Sequence, residues 1–265
     1  MGTLVCFHAH PDDESIATGG TIARAVDEGH RVVLVFATDG DHGEVPPDLA
    51  PGETVADRRK KEAADSAQVL GVSEVAWLGY KDSGMTGWAQ NSDPDAFINA
   101  DLEFAARTLA DVLTVENADV LTIYDWHGGY GHPDHIMVHK VGVRAAEIAQ
   151  TPRVFEATMN RDAMREGLAM ARELGVDFGD EGFDPDGPAD DGNPMGLTSD
   201  ELTHGVDVSN YVDKKRASLS CHKSQITDTN MFETIPEEYF VLAFGTEWFR
   251  LRGADGPVRD GWLFE

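Results

Sequence analysis

Histidine and carboxylate side chains are concentrated in two short stretches, HAHPDDE at residues 8–14 and GGYGHPDH at residues 128–135. Both stretches contain the tripeptide His-Pro-Asp. The three consecutive carboxylates of the first stretch repel one another unless a cation or a ligand compensates their charge. Imidazole nitrogen and carboxylate oxygen are also the donors of hydrolytic zinc, which takes three protein ligands and keeps one position open for water. The two stretches therefore indicate a metal site with hydrolytic chemistry.

The elements that must position these side chains alternate between strand and helix patterns. Strand patterns occur at residues 3–8, 31–37, 74–78, 119–124 and 153–157. Helical periodicity occurs at residues 15–28, 56–70, 97–115 and 134–150. The strands are nearly continuous in apolar residues, which is typical of a parallel sheet covered on both faces. We therefore predict an α/β fold, a Rossmann-like sandwich with a mostly parallel sheet, whose ligands bind at the carboxyl ends of the strands.

Length and composition predict one domain over residues 1–265. The chain is 41% hydrophobic, and no Gly/Ser-rich or Pro-rich linker divides it. Residues 176–201 contain nine carboxylates and no Lys or Arg, so we expect a long acidic surface loop over the strand ends. With two cysteines in the chain, neither a disulfide framework nor a cysteine-based zinc site is expected.

The charge of the chain bears on its partners. A net charge of −27 repels phosphate backbones and anionic membranes, so we expect neither nucleic acid nor a membrane as a partner. No signal-peptide pattern and no run long enough to span a bilayer is visible, so we expect a cytoplasmic protein. A small molecule is then the expected partner. A homo-oligomer is compatible with the sequence, which does not specify the oligomeric state.

A Rossmann-like first strand also raises the hypothesis of a dinucleotide site. In such a site the first turn after the strand carries glycines whose amides bind a pyrophosphate. Here that turn carries the acidic sequence HPDDE, which places carboxylates where a phosphate would bind. The sequence therefore argues against nucleotide binding.

HAHPDDE together with GGYGHPDH resembles the PIG-L/LmbE family of zinc-dependent de-N-acetylases, which act on N-acetylglucosamine-type sugars. The resemblance is closest to the bacterial branch of mycothiol biosynthesis and mycothiol-conjugate cleavage. It covers most of the chain, through the further segments RRKKEAADSAQVLGV, YKDSGM, VFEATMNRD and HKSQI.

The resemblance implies that His10, Asp13 and His135 bind zinc and that Asp12 is the general base. The expected chemistry is consistent with this division, since zinc lowers the pKa of bound water from 15.7 to roughly 7 and polarises an amide carbonyl. A carboxylate next to a ligating one can reach that water without binding the metal. Fe²⁺ and Co²⁺ accept the same mixed nitrogen and oxygen ligands, so the sequence does not select the metal.

The resemblance also implies roles for the second stretch. His132 is expected to protonate the leaving amine or to stabilise the oxyanion, and Asp134 is expected to orient His132. Tyr130 is expected to help bind the tetrahedral intermediate. Glu14, at the end of the first stretch, receives no catalytic role and fits a supporting or helix-capping position.

Substrate-binding candidates follow from weaker segments of the resemblance. Arg59 and Glu62 match an R-x-x-E pattern, and Asp82 with Met85 matches a DSGM loop, both of which contact sugar hydroxyls in the family. His222 is expected to line the same pocket. The alternative interpretation is a solvated basic helix terminus for Arg59 and Glu62 and an ordinary turn for Asp82 and Met85. For His222 it is a histidine on an amphipathic helix.

The expected function is removal of the N-acetyl group from a GlcNAc-inositol-like sugar by zinc-activated water. One alternative is an amidase that cleaves a mycothiol S-conjugate. In the family's amidase branch the second motif tends to read PHPDH, whereas this chain reads GHPDH, which favours the deacetylase. The other alternative is a non-catalytic metal-binding or sugar-binding module on the same fold, which is disfavoured because every matching position is filled.

Overall fold

The computed structural model describes residues 1–173, 184–225, 236–254 and 256–265. Its strands are β1 (Thr3–His8), β2 (Arg31–Thr38), β3 (Glu74–Tyr80), β4 (Val120–Tyr124), β5 (Arg153–Thr158), β6 (His204–Asp207), β7 (Thr246–Leu251) and β8 (Arg259–Asp260). Its α-helices are α1 (Asp13–Ala17), α2 (Gly19–Asp27), α3 (Val55–Leu70), α4 (Leu102–Val115), α5 (Pro133–Ala149), α6 (Arg161–Glu173), α7 (Val212–Leu219) and α8 (Glu237–Phe244). Within the described ranges, no helix combines the length and apolar character needed to cross a bilayer.

The strands form one sheet in the order β3-β2-β1-β4-β5-β7-β6-β8. Pairing is parallel from β3 to β5, and β7 then runs antiparallel to both β5 and β6. The predicted α/β fold with a mostly parallel sheet is therefore confirmed. Strands β1 and β4 are neighbours near the centre of the sheet, so the loops at their carboxyl ends lie side by side.

Side chains of β1 alternate between two cores, one on each face of the sheet. Val5 and Phe7 are fully buried on the face covered by α4 and α5. Leu4 and Cys6 are fully buried on the opposite face with side chains of α2 and α3. Because helices cover both faces, every position of the strand interior excludes water, and the strand is a continuous apolar run.

Two predicted helices differ from the structure at their first turns. The helix predicted at 15–28 is divided at Thr18, whose hydroxyl lies 3.0 Å from His8 Nε2 and donates to the Glu14 carbonyl at 3.2 Å. The helix predicted at 97–115 begins only at Leu102, because the Asp101 carboxylate accepts the Phe104 amide at 2.8 Å and caps the helix there.

The prediction did not include the antiparallel part of the sheet. Strand β6 has four residues and β8 has two, which is too short for a periodic pattern. Strand β7 alternates buried and half-buried residues at its start, and Glu247 and Arg250 interrupt its apolar residues, so they do not form the continuous run that identified the parallel strands. These short strands complete the sheet beyond β5 and lie apart from the two central loops.

Candidate active site

The loops that follow β1 and β4 meet at the carboxyl edge of the sheet. Asp13 Oδ1, at the start of α1, lies 3.3 Å from His135 Nε2 in the first turn of α5. His10 Nε2 lies 3.1 Å from Asp134 Oδ2. The histidine and aspartate residues of the two sequence stretches are thus in direct contact across the boundary between the strands.

Hydrogen bonding fixes which nitrogen of His135 faces the site. His135 Nδ1 lies 3.2 Å from the Gly128 carbonyl oxygen, which can only accept a hydrogen bond. In a neutral ring the proton therefore resides on Nδ1, and Nε2 presents a lone pair toward Asp13. Donation of the second ring N–H to a backbone carbonyl is the usual arrangement of a metal-ligating histidine.

His10 has the same arrangement with its nitrogens exchanged. Its Nε2 faces the carboxylates of Asp134, at 3.1 Å, and Asp82, at 3.5 Å. A neutral ring consequently carries its proton on Nε2 and presents the Nδ1 lone pair toward Asp13 Oδ2, 3.4 Å away. Burial lowers the pKa of His10, but Asp82 and the other carboxylates together raise it well above its usual value. The site therefore draws a positive charge to this position.

His132 is oriented by the backbone and is electrically neutral. It is the N-cap of α5, and its Nδ1 accepts the Asp134 amide at 3.1 Å, which leaves the ring proton on Nε2. Burial, followed by the neighbouring His10 and His135, lowers the pKa of His132 to about 2. The side chain can therefore donate a hydrogen bond from Nε2.

The expected role of the Asp134 side chain needs a correction. Its carboxylate binds His10 and the amide and hydroxyl of Ser83, and not His132. Asp134 follows Pro133 in the first turn of α5, so its amide points back to the N-cap while its side chain points toward the loop after β3. Asp134 thus orients His132 through the main chain, and its carboxylate fixes the ring of His10.

The donor set around Asp13 fits a divalent metal. Groupings whose ligand atoms lie within 4.8 Å of one another are found in the described residues: His10, His132 and His135, and His10, Asp82 and Asp134. Because His132 Nε2 carries a proton, we favour Asp13 over His132 as the partner of His10 and His135. Burial raises the pKa of Asp13, but His135 and His10 lower it well below its usual value. With both rings neutral, two lone pairs and an ionised carboxylate thus face one another, and the His10 backbone amide donates to Asp13 Oδ2 at 2.8 Å.

Asp12, the expected general base, has an unusual backbone. Its φ is 104°, a left-handed value that costs a residue other than glycine about 1–3 kcal/mol. Burial raises the pKa of Asp12 to about 6, against the opposing charge of Arg59. A carboxylate with such a pKa is ionised near neutral pH and still accepts a proton readily.

Arg59 was expected to bind substrate, and the structure buries it against the loop of Asp12. The side chain is 4% exposed. Its guanidinium donates to the carbonyls of Pro11 and Gly40, at 2.5 and 2.8 Å, and to Asp12 Oδ2 at 3.1 Å. These contacts fix the direction of the Asp12 carboxylate. Glu62, four residues before Ser66 on the same helix, accepts the amide and hydroxyl of Ser224.

The other substrate-binding candidates divide into two groups. Asp82 lies beside the site, with Oδ1 3.5 Å from His10 Nε2 and 2.8 Å from the Gly84 amide, and the half-buried Met85 follows in the same loop. His222, in contrast, is fully buried, and its Nε2 donates to Glu14 Oε1 at 2.7 Å. The expectation that His222 lines a substrate pocket is wrong for this structure, because Glu14 and the core enclose the ring.

Tyr130 lies at the opening of the site. Its hydroxyl is 3.4 Å from His135 Nε2, and burial raises its pKa above the usual value, so the group remains a hydrogen-bond donor. The described part of the acidic segment, residues 184–201, packs against this loop, since the Asp190 amide donates to the Tyr130 carbonyl at 2.9 Å. Residues 176–183 of the expected acidic loop lie outside the described residues.

Sequence reasoning missed Tyr124, the last residue of β4. Its ring stacks on His135 with centroids 4.4 Å apart, and its hydroxyl lies 2.9 Å from His8 Nδ1. These contacts orient the rings of His135 and His8 near Asp13. The sequence signal is an aromatic residue at the end of an apolar run, which does not distinguish a supporting residue from an ordinary core residue.

The chain is similar to known proteins over most of its length. A family model described as PIG-L: GlcNAc-PI de-N-acetylase matches residues 5–146. The 1D-myo-inositol 2-acetamido-2-deoxy-alpha-D-glucopyranoside deacetylase of Acidothermus cellulolyticus is 36% identical over 272 residues, which cover 98% of this chain and 92% of the relative. The enzyme of the same name from a Nocardioides species is 37% identical over 97% of this chain and 95% of its own length. The solved structure of N,N'-diacetylchitobiose deacetylase from Pyrococcus horikoshii shares the fold, with a TM-score of 0.61 and 23% identity over 94% of this chain and 83% of its own.

Proposed function

The chain belongs to the PIG-L family of de-N-acetylases, and from that premise we propose that it hydrolyses the N-acetyl group of an N-acetylglucosaminyl-inositol. The products are acetate and the free amino sugar. One observation carries the proposal: the Asp13 carboxylate lies 3.4 Å from His10 Nδ1 and 3.3 Å from His135 Nε2, while Asp12, adjacent in the chain, has its pKa raised to about 6. A metal site with a base beside it is what hydrolysis of an amide requires.

We assign His10, Asp13 and His135 as the metal ligands. When bound, the divalent ion supplies a Lewis acid that polarises the acetyl carbonyl and lowers the pKa of water to roughly 7. Zn²⁺ is the ion we propose, and Fe²⁺ and Co²⁺ suit the same donors. Asp134 and the Gly128 carbonyl hold the two rings with their lone pairs toward Asp13.

Asp12 takes a proton from the attacking water while Arg59 holds its carboxylate in place. As the carbonyl oxygen gains negative charge, the Nε2–H of His132 and the hydroxyl of Tyr130 donate hydrogen bonds to it. The proton that Asp12 has gained then passes to the nitrogen as the C–N bond breaks. Each step uses a group whose protonation follows from its contacts in the structure.

The substrate assignment rests on the relatives. Those described above are named as deacetylases of the inositol-linked acetamido sugar, over nearly the whole length of this chain. This favours the deacetylase over the mycothiol S-conjugate amidase. It also favours an enzyme over a non-catalytic binding module, because the base and all three proposed ligands are present.

The test is release of primary amine from N-acetylglucosaminyl-inositol and from N-acetylglucosamine by zinc-loaded protein. We expect release that requires both zinc and Asp12, with the inositol-linked sugar preferred. Asp12→Asn, loaded with zinc in the same way, is the matched control. Absence of release from both sugars by the wild-type protein would reject the proposed function.

A further inference from the structure

Glu14 is a buried carboxylate that the chemistry above does not use. It is 0% exposed, and both of its oxygens are engaged. Oε1 accepts hydrogen bonds from Ser15 Oγ at 2.9 Å, Ser66 Oγ at 2.5 Å and His222 Nε2 at 2.7 Å. Oε2 accepts the backbone amide of Asp12 at 2.9 Å. The carboxylate therefore joins the loop after β1, which carries Asp12, to α3 and to the segment after α7.

The contact with Asp12 falls on the strained residue of the site. Asp12 is at φ 104° and ψ −33°, and its side chain makes no capping bond to α1. A residue other than glycine keeps such a backbone conformation only where its surroundings hold it. Glu14 holds the main chain through the Asp12 amide, and Arg59 holds the carboxylate through Oδ2.

We propose that Glu14 is a positioning residue, which holds the Asp12 amide so that the Asp12 carboxylate points at the reacting water. The inference rests on the proposed function, because it takes Asp12 to be the base. Glu14 can act in this way because Ser66 and His222 fix it from the other side. His222 thus contributes to catalysis through Glu14 and Asp12, although it is 208 residues away from Glu14 in the sequence.

A purely structural role is the competing explanation, and the chain offers a matched control for it. Glu247 is 4% exposed and accepts the Gly20 and Thr21 amides at 2.9 and 2.8 Å and Lys215 Nζ at 2.5 Å. Like Glu14, it is a buried carboxylate that receives backbone amides and a basic side chain. Among the described residues it makes no hydrogen bond or ion pair with Asp12. Glu247→Ala therefore measures the loss of stability caused by removing a buried carboxylate with no contact to Asp12.

The experiment compares Glu14→Ala, Glu14→Gln and Glu247→Ala by kcat, KM, bound zinc and Tm. We expect Glu14→Ala to lower kcat about 100-fold with KM changed less than about twofold and zinc retained, as for a misplaced catalytic group. Glu14→Gln should recover most of kcat, because its amide oxygen can still accept the Asp12 N–H. Glu247→Ala should lower Tm while kcat of the folded protein stays within about threefold. Equal kcat for Glu14→Ala and Glu247→Ala, each measured where the variant is folded, would overturn the proposal.

Failure of the proposed function gives a different result, since the wild-type protein would then release no amine. A crystal structure of Glu14→Ala tests the positioning role without any turnover. We expect φ of residue 12 to return to negative values and the carboxylate to leave Arg59. A φ that stays near 104°, with the carboxylate unmoved, would show that Glu14 does not hold the loop.

Discussion

Asp13 and Glu14 are adjacent in α1, and each meets histidine in the protein interior, yet the two groups differ in hydrogen bonding. Glu14 accepts a proton-bearing donor at every contact, including His222 Nε2. Asp13 accepts the His10 backbone amide at 2.8 Å, but its two imidazole neighbours, His10 and His135, face it with lone pairs in their neutral forms. The first group is neutralised by its own basic partner, whereas the second has the donors proposed to hold a cation. The direction of hydrogen bonding distinguishes the Glu14–His222 pair from the proposed metal site, whereas residue type and burial do not.

Charges in the Glu14 group agree with this distinction. Burial raises the pKa of Glu14, but the opposing charge of His222 and its hydrogen bonds lower it to about 2. Burial likewise lowers the pKa of His222, and Glu14 raises it above the usual value. The pair is therefore an internal ion pair, in which His222 Nδ1 has no hydrogen-bond partner among the described residues.

The largest expected difference between Asp13 and Glu14 is the effect of removing each carboxylate on bound metal. Asp13→Ala should lose its bound metal, with turnover falling to background, because a three-ligand site does not retain zinc with two ligands. Glu14→Ala should retain about one metal ion per chain. Metal analysis of the purified variants after dialysis decides the point, and full metal in Asp13→Ala would contradict the ligand assignment.

Substitution of Asp12 should reduce turnover without the loss of metal expected for Asp13→Ala. Asp12→Asn removes the proton acceptor and keeps the size of the side chain, so kcat should fall by roughly 10² to 10⁴ with metal retained. Steady-state amine release and metal content, measured on the same preparation, are the readouts. If Asp12→Asn lost its metal, the division of roles between Asp12 and Asp13 would be wrong.

His132 sharpens the comparison because it lies among the metal-facing rings but carries a proton on Nε2. His132→Ala should retain metal and lower kcat by about 10² to 10³, the usual loss for one hydrogen-bond donor to a developing oxyanion. His135→Ala, the matched variant of a proposed ligand, should lose metal. Loss of metal in His132→Ala would instead place His132 among the ligands.

The smallest effect is the pH dependence of the Glu14–His222 pair. Because the pKa of Glu14 is depressed on folding, its stabilisation is present above about pH 4.5 and is lost as the pH falls toward 2. The pKa of His222 is raised on folding, so its stabilisation is present below about pH 6.5 and is lost as the pH rises through the folded value. The Tm difference between wild type and Glu14→Gln should be largest between about pH 4.5 and about pH 6.5. It should be roughly 3–6 °C there, for a loss of about 1–2 kcal/mol in the free energy of unfolding. A difference that is constant with pH would argue against an ion pair.

The sequence predicted the parallel half of the fold and the location of the site. Continuous apolar runs identified β1 to β5, and the two histidine-rich stretches after β1 and β4 do meet at the carboxyl edge of the sheet. Strands β6 to β8 were not predicted because two are very short and charged residues interrupt the apolar residues of the third. Periodicity detects only elements long enough to repeat.

Side-chain partners were harder to predict than the loops that carry them. Arg59 and His222 were expected to bind substrate, and both are buried, Arg59 against Asp12 and His222 against Glu14. The Asp134 carboxylate was expected at His132 and binds His10. Each of these contacts joins residues far apart in the sequence or depends on the direction in which a helix begins. Spacing along the chain contains no information on either.

The adjacency of β1 and β4 has a further consequence for unfolding. His10 and Asp134, whose loops contribute the proposed ligands, are 124 residues apart in the sequence. An ion bound to residues of both loops would act as a removable cross-link. In the loop-closure model, a covalent link that closes a loop of similar length raises the free energy of the unfolded chain by about 5 kcal/mol. Since only the folded chain brings the ligands together, Tm should rise with the concentration of free metal and fall on chelation. An ion held by the proposed ligands would thereby also link the two halves of the parallel sheet.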